Sequence, residues 1–232
     1  MTDRARAREL AAEGLREDDP LGWFERIYAE ADAVGTPIPW ADLRPNPNLE
    51  QFERARALPA PGATALVVGC GLGDDAEWIA GHGFRTVAFD IAPSAIRACG
   101  RRFPQSAVAY RVADLFRAPA DWSGRFDLVF EAYTLQVLPA RLRADAVARI
   151  AGFVAPGGAV LVVARRREPS EPEGEMPWPL TRDELAAFER EGLRASAFEE
   201  YWDDDRPPVR RVRAVFERPR GGSPESTAPG RA

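Results

Sequence analysis

Residues 65–90 read ALVVGCGLGDDAEWIAGHGFRTVAFD, and this stretch decides the fold. Ala65 to Val68 is an unbroken apolar run, as expected of a strand buried on both faces of a parallel sheet. Gly69, Gly71 and Gly73 follow within five positions. Glycine there admits positive φ and lets a ligand approach bare backbone. A helix is predicted to open at Asp74, so its unpaired N–H groups and positive dipole end face the same point. The second strand, Thr86 to Phe89, closes in Asp90, with Ile91 beside it. A carboxylate at that strand end can accept hydrogen bonds from both hydroxyls of a ribose.

Two cofactors compete for this strand–turn–helix–strand unit. A dinucleotide site wants G-x-G-x-x-G, whose third glycine allows close helix–strand packing. Here the spacing is G-x-G-x-G, and Asp74 occupies the place of that third glycine. Asp74 and Asp75 would also set negative charge where a pyrophosphate should lie. A ligand with a positive end and no phosphate fits better. S-Adenosylmethionine is one, with adenine, a ribose diol, a sulfonium and a zwitterionic tail. A nicotinamide dinucleotide, or a glycine turn with no ligand, remain the alternatives.

Working outward, composition narrows the choices. The chain has 232 residues, 45% of them hydrophobic, enough for one large α/β domain with additions. Acidic residues number 36 and basic residues 31, a net charge of −5 that excludes a nucleic-acid-binding field. Every basic residue is Arg and none is Lys, a bias that fits a GC-rich bacterial genome. Cys70 and Cys99 are the two cysteines, too few for a disulfide framework or a metal-ligand set. The N-terminus, TDRARARELAAEG, is charged rather than signal-like, and no apolar run reaches membrane-spanning length. A soluble cytoplasmic protein, monomer or homodimer, without metal, membrane or nucleic-acid partner, is the expectation.

The remaining elements alternate. Thr2 to Glu17 reads as a charged surface helix. Asp18-Asp19-Pro20 is a start signal for a second helix over Leu21 to Val34, with Trp23, Phe24, Ile27 and Tyr28 on one face. GTPIPWADLRPNPNLEQF (35–52) holds four prolines, yet Ile38, Trp40 and Leu43 need cover, so it reads as a lid over the cofactor mouth. After Asp90, a helix is predicted over Pro93 to Arg102, a strand over Ala107 to Ala113 ending at Asp114, and a strand FDLVFE over Phe126 to Glu131. A helix over Arg141 to Val154 stops at Pro156-Gly157-Gly158, and Ala159 to Ala164 is a fifth strand. Thr181-Arg182-Asp183-Glu184 is a capping box opening a helix to Glu191. Strands over Arg194 to Tyr201 and Arg211 to Glu217, joined by DDDRPP, suit an antiparallel hairpin. The alternation predicts a doubly wound, Rossmann-like α/β sheet. Residues 1–48 are expected to form N-terminal helices and a lid, 49–218 the main domain, and 219–232 a disordered tail.

Three acids close three successive strands. Asp90 is placed for ribose. Asp114, with the Leu115 N–H, is placed for the adenine amino group and a ring nitrogen. Glu131 and Tyr133 fall at the fourth strand end, beside a transferred group, as candidate catalytic residues. His82, the single histidine, lies in GHGF at the far end of the sheet and reads as a solvated or capping residue. Cys70 lies within the glycine turn and reads as packing there.

These acids behind one glycine turn, together with PGGAVLVVARR (156–166), resemble the class I S-adenosylmethionine-dependent methyltransferases over residues 49–217. The resemblance implies a seven-stranded sheet whose last strand is antiparallel. It implies that the turn around Gly69, Cys70, Gly71 and Gly73 holds the methionine part, Asp90 with Ile91 the ribose, and Asp114 with Leu115 the adenine. GWFERIYAEADAVGTPIPW (22–40), RPNPNL (44–49), residues 67–96 and MPWPLT (176–181) resemble the thiopurine/thiol methyltransferase group more narrowly. That likeness implies that Trp23 and Trp40 close over the cofactor. EAYTLQVLP (131–139) is shared more broadly, so the acceptor stays open among a small-molecule thiol, a nitrogen or a hydroxyl, as does a non-catalytic cofactor-binding module. Methyl transfer from a sulfonium loses charge along its path, so a closed, dry pocket favours it. A thiol, with pKa near ~8.5, needs little help from a base.

Overall fold

The computed structural model describes residues 3–55 and 61–220. The expected disordered tail falls almost wholly on 221–232, outside the described residues. Three helices come first: α1 (Asp3–Arg16), α2 (Trp23–Val34) and α3 (Pro47–Ala55). Then β1 (Thr64–Val68), α4 (Asp74–Gly81), β2 (Arg85–Asp90), α5 (Pro93–Arg102), β3 (Ala109–Val112) and β4 (Phe126–Ala132) alternate. They are followed by α6 (Ala140–Phe153), β5 (Val154–Arg165), α7 (Arg182–Leu185), α8 (Ala187–Arg190), β6 (Arg194–Trp202) and β7 (Arg210–Glu217).

The strands form one seven-stranded sheet in the order β3-β2-β1-β4-β5-β7-β6. β1 pairs in parallel with β2 and β4, whereas β7 runs antiparallel to both β5 and β6. This is the class I methyltransferase arrangement that the resemblance implies.

The continuous apolar runs of the central strands are explained by burial on both faces. Along β1, Ala65 and Val67 point to one side with Leu128, Phe130, Leu161 and Val163, where α3, α4 and α5 pack. Leu66 and Val68 point to the other with Val129, Val160 and Val162, against α6 and α8. A third apolar cluster joins Leu10 of α1 and Trp23, Ile27 and Tyr28 of α2 to Ala92 and Ala95 at α5. It seats the N-terminal helices beside the carboxyl edge of the sheet.

Three elements differ from expectation. The Pro-rich segment contains α3, whose Leu49 and Phe52 are buried against the sheet, so a boundary drawn between 48 and 49 falls inside a helix. Pro156-Gly157-Gly158 is an irregularity within β5 rather than a turn before it: Phe126 pairs with Val154 but Leu128 with Ala159. The helix from the capping box breaks into α7 and α8, although the box itself is present on Thr181 and Glu184.

Candidate active site

The chain steps from β1 to β2 and β3 on one side and reaches β4 and β5 on the other. Ligands of doubly wound sheets bind where the order reverses, at the carboxyl ends of the strands. A cleft of about 830 Å³ opens there. It is lined by Gly69, Cys70, Gly71, Gly73, Asp90, Ile91, Asp114, Leu115, Tyr133, Trp23 and Trp40, so the structure brings nearly all the expected site residues together.

The glycine turn is held at each residue. The Cys70 N–H donates to the Phe89 carbonyl at 2.9 Å, and the Gly73 N–H to the Cys70 carbonyl at 3.0 Å. The Gly71 N–H donates to Asp90 Oδ2 at 2.9 Å, and the Cys99 thiol to the Gly71 carbonyl at 3.2 Å. Arg102 reaches the Leu72 carbonyl and forks onto both Asp74 oxygens at 2.7 Å. Gly69, Gly71 and Gly73 line the cleft in left-handed conformation, Gly71 at φ 54°. A Cβ there would meet the Tyr28 hydroxyl at 3.0 Å. At Gly73, φ 91°, a Cβ would strike the Tyr110 hydroxyl at 2.5 Å, so that glycine also serves packing. Cys70 is buried, and its contact with Cys99 together with burial pushes its thiol pKa well up.

Asp90 is buried at the end of β2. Its Oδ1 accepts from the Ala92 N–H at 2.9 Å and its Oδ2 from the Gly71 N–H at 2.9 Å, with the Ile91 N–H also directed at the carboxylate, which still leaves acceptor capacity for another donor. Burial pushes its carboxyl pKa upward, opposed by those N–H groups. Asp114 caps the short turn Leu115–Arg117, accepting from the Phe116 N–H at 2.8 Å, and its carboxylate borders the cleft.

Aromatic rings form the roof. Trp23 stacks on Phe24 at 4.0 Å, and Trp40 stands edge-on to Trp23 at 6.0 Å and to Tyr28 at 5.9 Å. Trp40 Nε1 donates to the Tyr28 hydroxyl at 3.1 Å. That hydroxyl therefore lies between Trp40 and Gly71. The sequence marks Tyr28 only as a core-face residue; an aromatic with a polar tip on the face that meets the glycine turn is the signal that could have found it.

Glu131 is a correction. It is wholly buried and does not line the cleft. Its Oε1 turns onto the Thr134 and Leu135 N–H groups at 2.7 and 3.0 Å, and Oε2 is buried without a partner. Burial pushes its carboxyl pKa up to about 7. The physical reason is the sharp bend after β4: Tyr133 sits at φ 67°, and the turn that follows draws the carboxylate beneath its free N–H groups. Tyr133 does reach the cleft, under the Arg211 guanidinium at 5.1 Å. Burial pushes its hydroxyl to about 12, so at neutral pH it is a donor and not a base. Asp75, read only as unwelcome to phosphate, also lines the cleft. It accepts from the Asn46 N–H at 2.6 Å, and burial raises its carboxyl to about 6. His82 lies outside the cleft, stacked on Trp78 at 3.7 Å with Nδ1 on the Trp78 carbonyl at 2.7 Å. No metal-holding group of three or more His, Cys, Asp or Glu occurs among the described residues.

The family model of thiopurine S-methyltransferase matches residues 34–219. The chain belongs to the thiopurine S-methyltransferase family. The matched segment contains Trp40 and the whole sheet and begins at the last residue of α2, so Trp23 precedes it. A thiopurine S-methyltransferase of Vibrio vulnificus is 27% identical over 156 residues, 60% of this chain and 70% of that one. A 2-heptyl-1-hydroxyquinolin-4(1H)-one methyltransferase of Mycobacteroides abscessus is 26% identical over 194 residues, 81% of this chain and 79% of that one. The fold is also that of a Burkholderia thailandensis 1,6-didemethyltoxoflavin-N1-methyltransferase solved with its substrate and S-adenosylhomocysteine. Its TM-score is 0.64 at 17% identity, over 91% of this chain and 90% of that one.

This thiopurine S-methyltransferase family member is a methyltransferase whose cofactor is S-adenosylmethionine. The residues present fit that cofactor. The turn leaves Gly71 bare toward the cleft, Asp90 keeps acceptor capacity for a diol, and the α4 start carries Asp74 and Asp75 where a diphosphate would be repelled. No helix among the described residues is long and apolar enough to cross a membrane.

Proposed function

We propose that the protein methylates a small-molecule thiol or a similarly soft nucleophile. The observation that carries this reading is that none of the three candidates the sequence offers for proton transfer acts as a base at the cleft: Tyr133 is held protonated, Glu131 is turned away, and His82 lies elsewhere. An acceptor that supplies its own anion suits such a site, and a thiol does so near neutral pH. S-Adenosylmethionine supplies an electrophilic methyl group on sulfur. Asp90 takes the ribose hydroxyls, with Ile91 alongside; the turn from Gly69 through Cys70 to Gly73 takes the amino-acid tail; Asp114 and the Leu115 N–H take adenine. Trp23 and Trp40 roof the site and exclude water, the residues before α3 acting as cover to the transferase body.

A second reading, transfer to oxygen or nitrogen, rests on Asp75. Its carboxyl, raised to about 6, is the cleft group best matched to general-base work. A radiolabelled methyl-transfer screen over matched thiols, phenols and amines separates the readings. Thiols are expected to react fastest and to survive Asp75→Asn. Product only from phenols or amines, lost in Asp75→Asn, would overturn the thiol reading. No product from any acceptor, despite tight S-adenosylhomocysteine binding, would leave a cofactor-binding module.

A further inference from the structure

β5 ends at Arg165, the first of three successive arginines that behave differently. Arg166 Nε donates to Glu200 at 3.0 Å and its Nη2 to Glu168 at 3.2 Å. Arg167 Nε donates to the Pro179 carbonyl at 3.1 Å. Arg165 is fixed by its backbone, whose N–H donates to Gln136 Oε1 at 2.7 Å. Its guanidinium has no acceptor among the described residues, and Nε is buried without a partner. It lines the cleft together with Gln136. A buried donor left unpaired is costly, and more so on a cation.

The surroundings do not supply a counter-charge. Arg4, Arg8 and Arg211 all face Arg165 and, with burial, push its pKa down; Asp205 is the acid that opposes them. Asp205 already accepts from Arg211 at 3.2 Å, and Asp203 is engaged by the same guanidinium. Arg8 is occupied by the Met176 carbonyl at 2.9 Å and by Glu175 at 3.1 Å. Met176 and the exposed Trp202 add apolar surface to this part of the cleft.

We propose that the Arg165 guanidinium receives an anionic group, a carboxylate or comparable planar oxyanion, on an otherwise apolar or aromatic methyl acceptor. The fork of a guanidinium matches two carboxylate oxygens, and the bond is strong where water is displaced. This narrows the acceptor class and rests on the reading of the cleft as the acceptor site.

The test uses the S-adenosylhomocysteine-saturated protein and two calorimetric probes, para-mercaptobenzoate and its methyl ester, which differ in that one charge. The wild type is expected to bind the acid about tenfold or more tightly than the ester, the range for a charge-assisted hydrogen bond. Arg165→Gln removes that preference while leaving the ester and S-adenosylhomocysteine affinities in place. If Arg165→Gln loses S-adenosylhomocysteine binding, Arg165→Lys is read instead: without the fork, the acid should weaken severalfold and the ester should not. Equal binding of acid and ester, no binding of either at millimolar concentration, or a preference that persists in both variants overturns the proposal. Turnover is scored separately. An ester methylated at sulfur with no charge preference sinks the Arg165 assignment alone. An acid held through Arg165 but never methylated sinks the thiol reading alone.

Discussion

Asp90 joins two tasks in one carboxylate, since it ties down Gly71 and Ala92 and still offers lone pairs to the cleft. Asp90→Ala should weaken S-adenosylhomocysteine binding by about 1.5–3 kcal/mol, the scale of hydrogen bonds to a charged group. Calorimetry reads this directly, and an unchanged Kd would refute the ribose role. Glu131 gives a different signature. Its pKa rises from 4.5 to about 7 on folding, so the native state holds the proton more tightly than the unfolded chain. Its contribution is full at acid pH and is lost as pH climbs through about 7, on the order of 3 kcal/mol in all. Glu131→Gln should therefore gain in Tm relative to wild type between about pH 5 and about pH 8; a constant difference across that range would mean Glu131 does not titrate there. The place of Asp90 at the cleft was legible in sequence because an acid closing an apolar strand falls at the carboxyl edge of the sheet. Glu131 matched the same pattern and misled, because the direction of its side chain depends on the backbone turn after it.

At the scale of elements, Trp40 is the most exposed of the roof's rings. Trp40 lies on a loop, is 41% exposed, and is anchored by one hydrogen bond to Tyr28. Trp40→Ala should raise the S-adenosylhomocysteine off-rate in stopped-flow displacement by more than it lowers the on-rate; an unaltered off-rate would make Trp40 a packing residue only. α3 shows why this region was hard to read. Pro47 is its first residue, and Asn46 Oδ1 accepts from the Asn48 N–H at 3.1 Å, an Asn-Pro helix start. Four prolines in the surrounding segment concealed that signal among turn signals. The capping box at Thr181, with nothing similar around it, was legible and is present.

Across the whole molecule, the sheet could be read from sequence because its central strands are apolar on both faces and its connections fall at regular spacing. The antiparallel last strand was what the methyltransferase resemblance implied, in agreement with the short hairpin connection, and is now seen as β7 between β5 and β6. What could not be read is anything created by distant segments meeting: the Tyr28 contact with Gly71, the Asn46 link to Asp75, and the crowd of Arg4, Arg8 and Arg211 around Arg165. The fastening of the glycine turn by Asp90, Cys99 and Arg102 has one more implication. A bend so restrained has little conformational freedom left to surrender when its guest arrives, so ordering on ligation is expected at the overhanging, part-exposed Trp40. Heat-capacity and entropy changes of donor capture would then report on the canopy, while the floor stays silent.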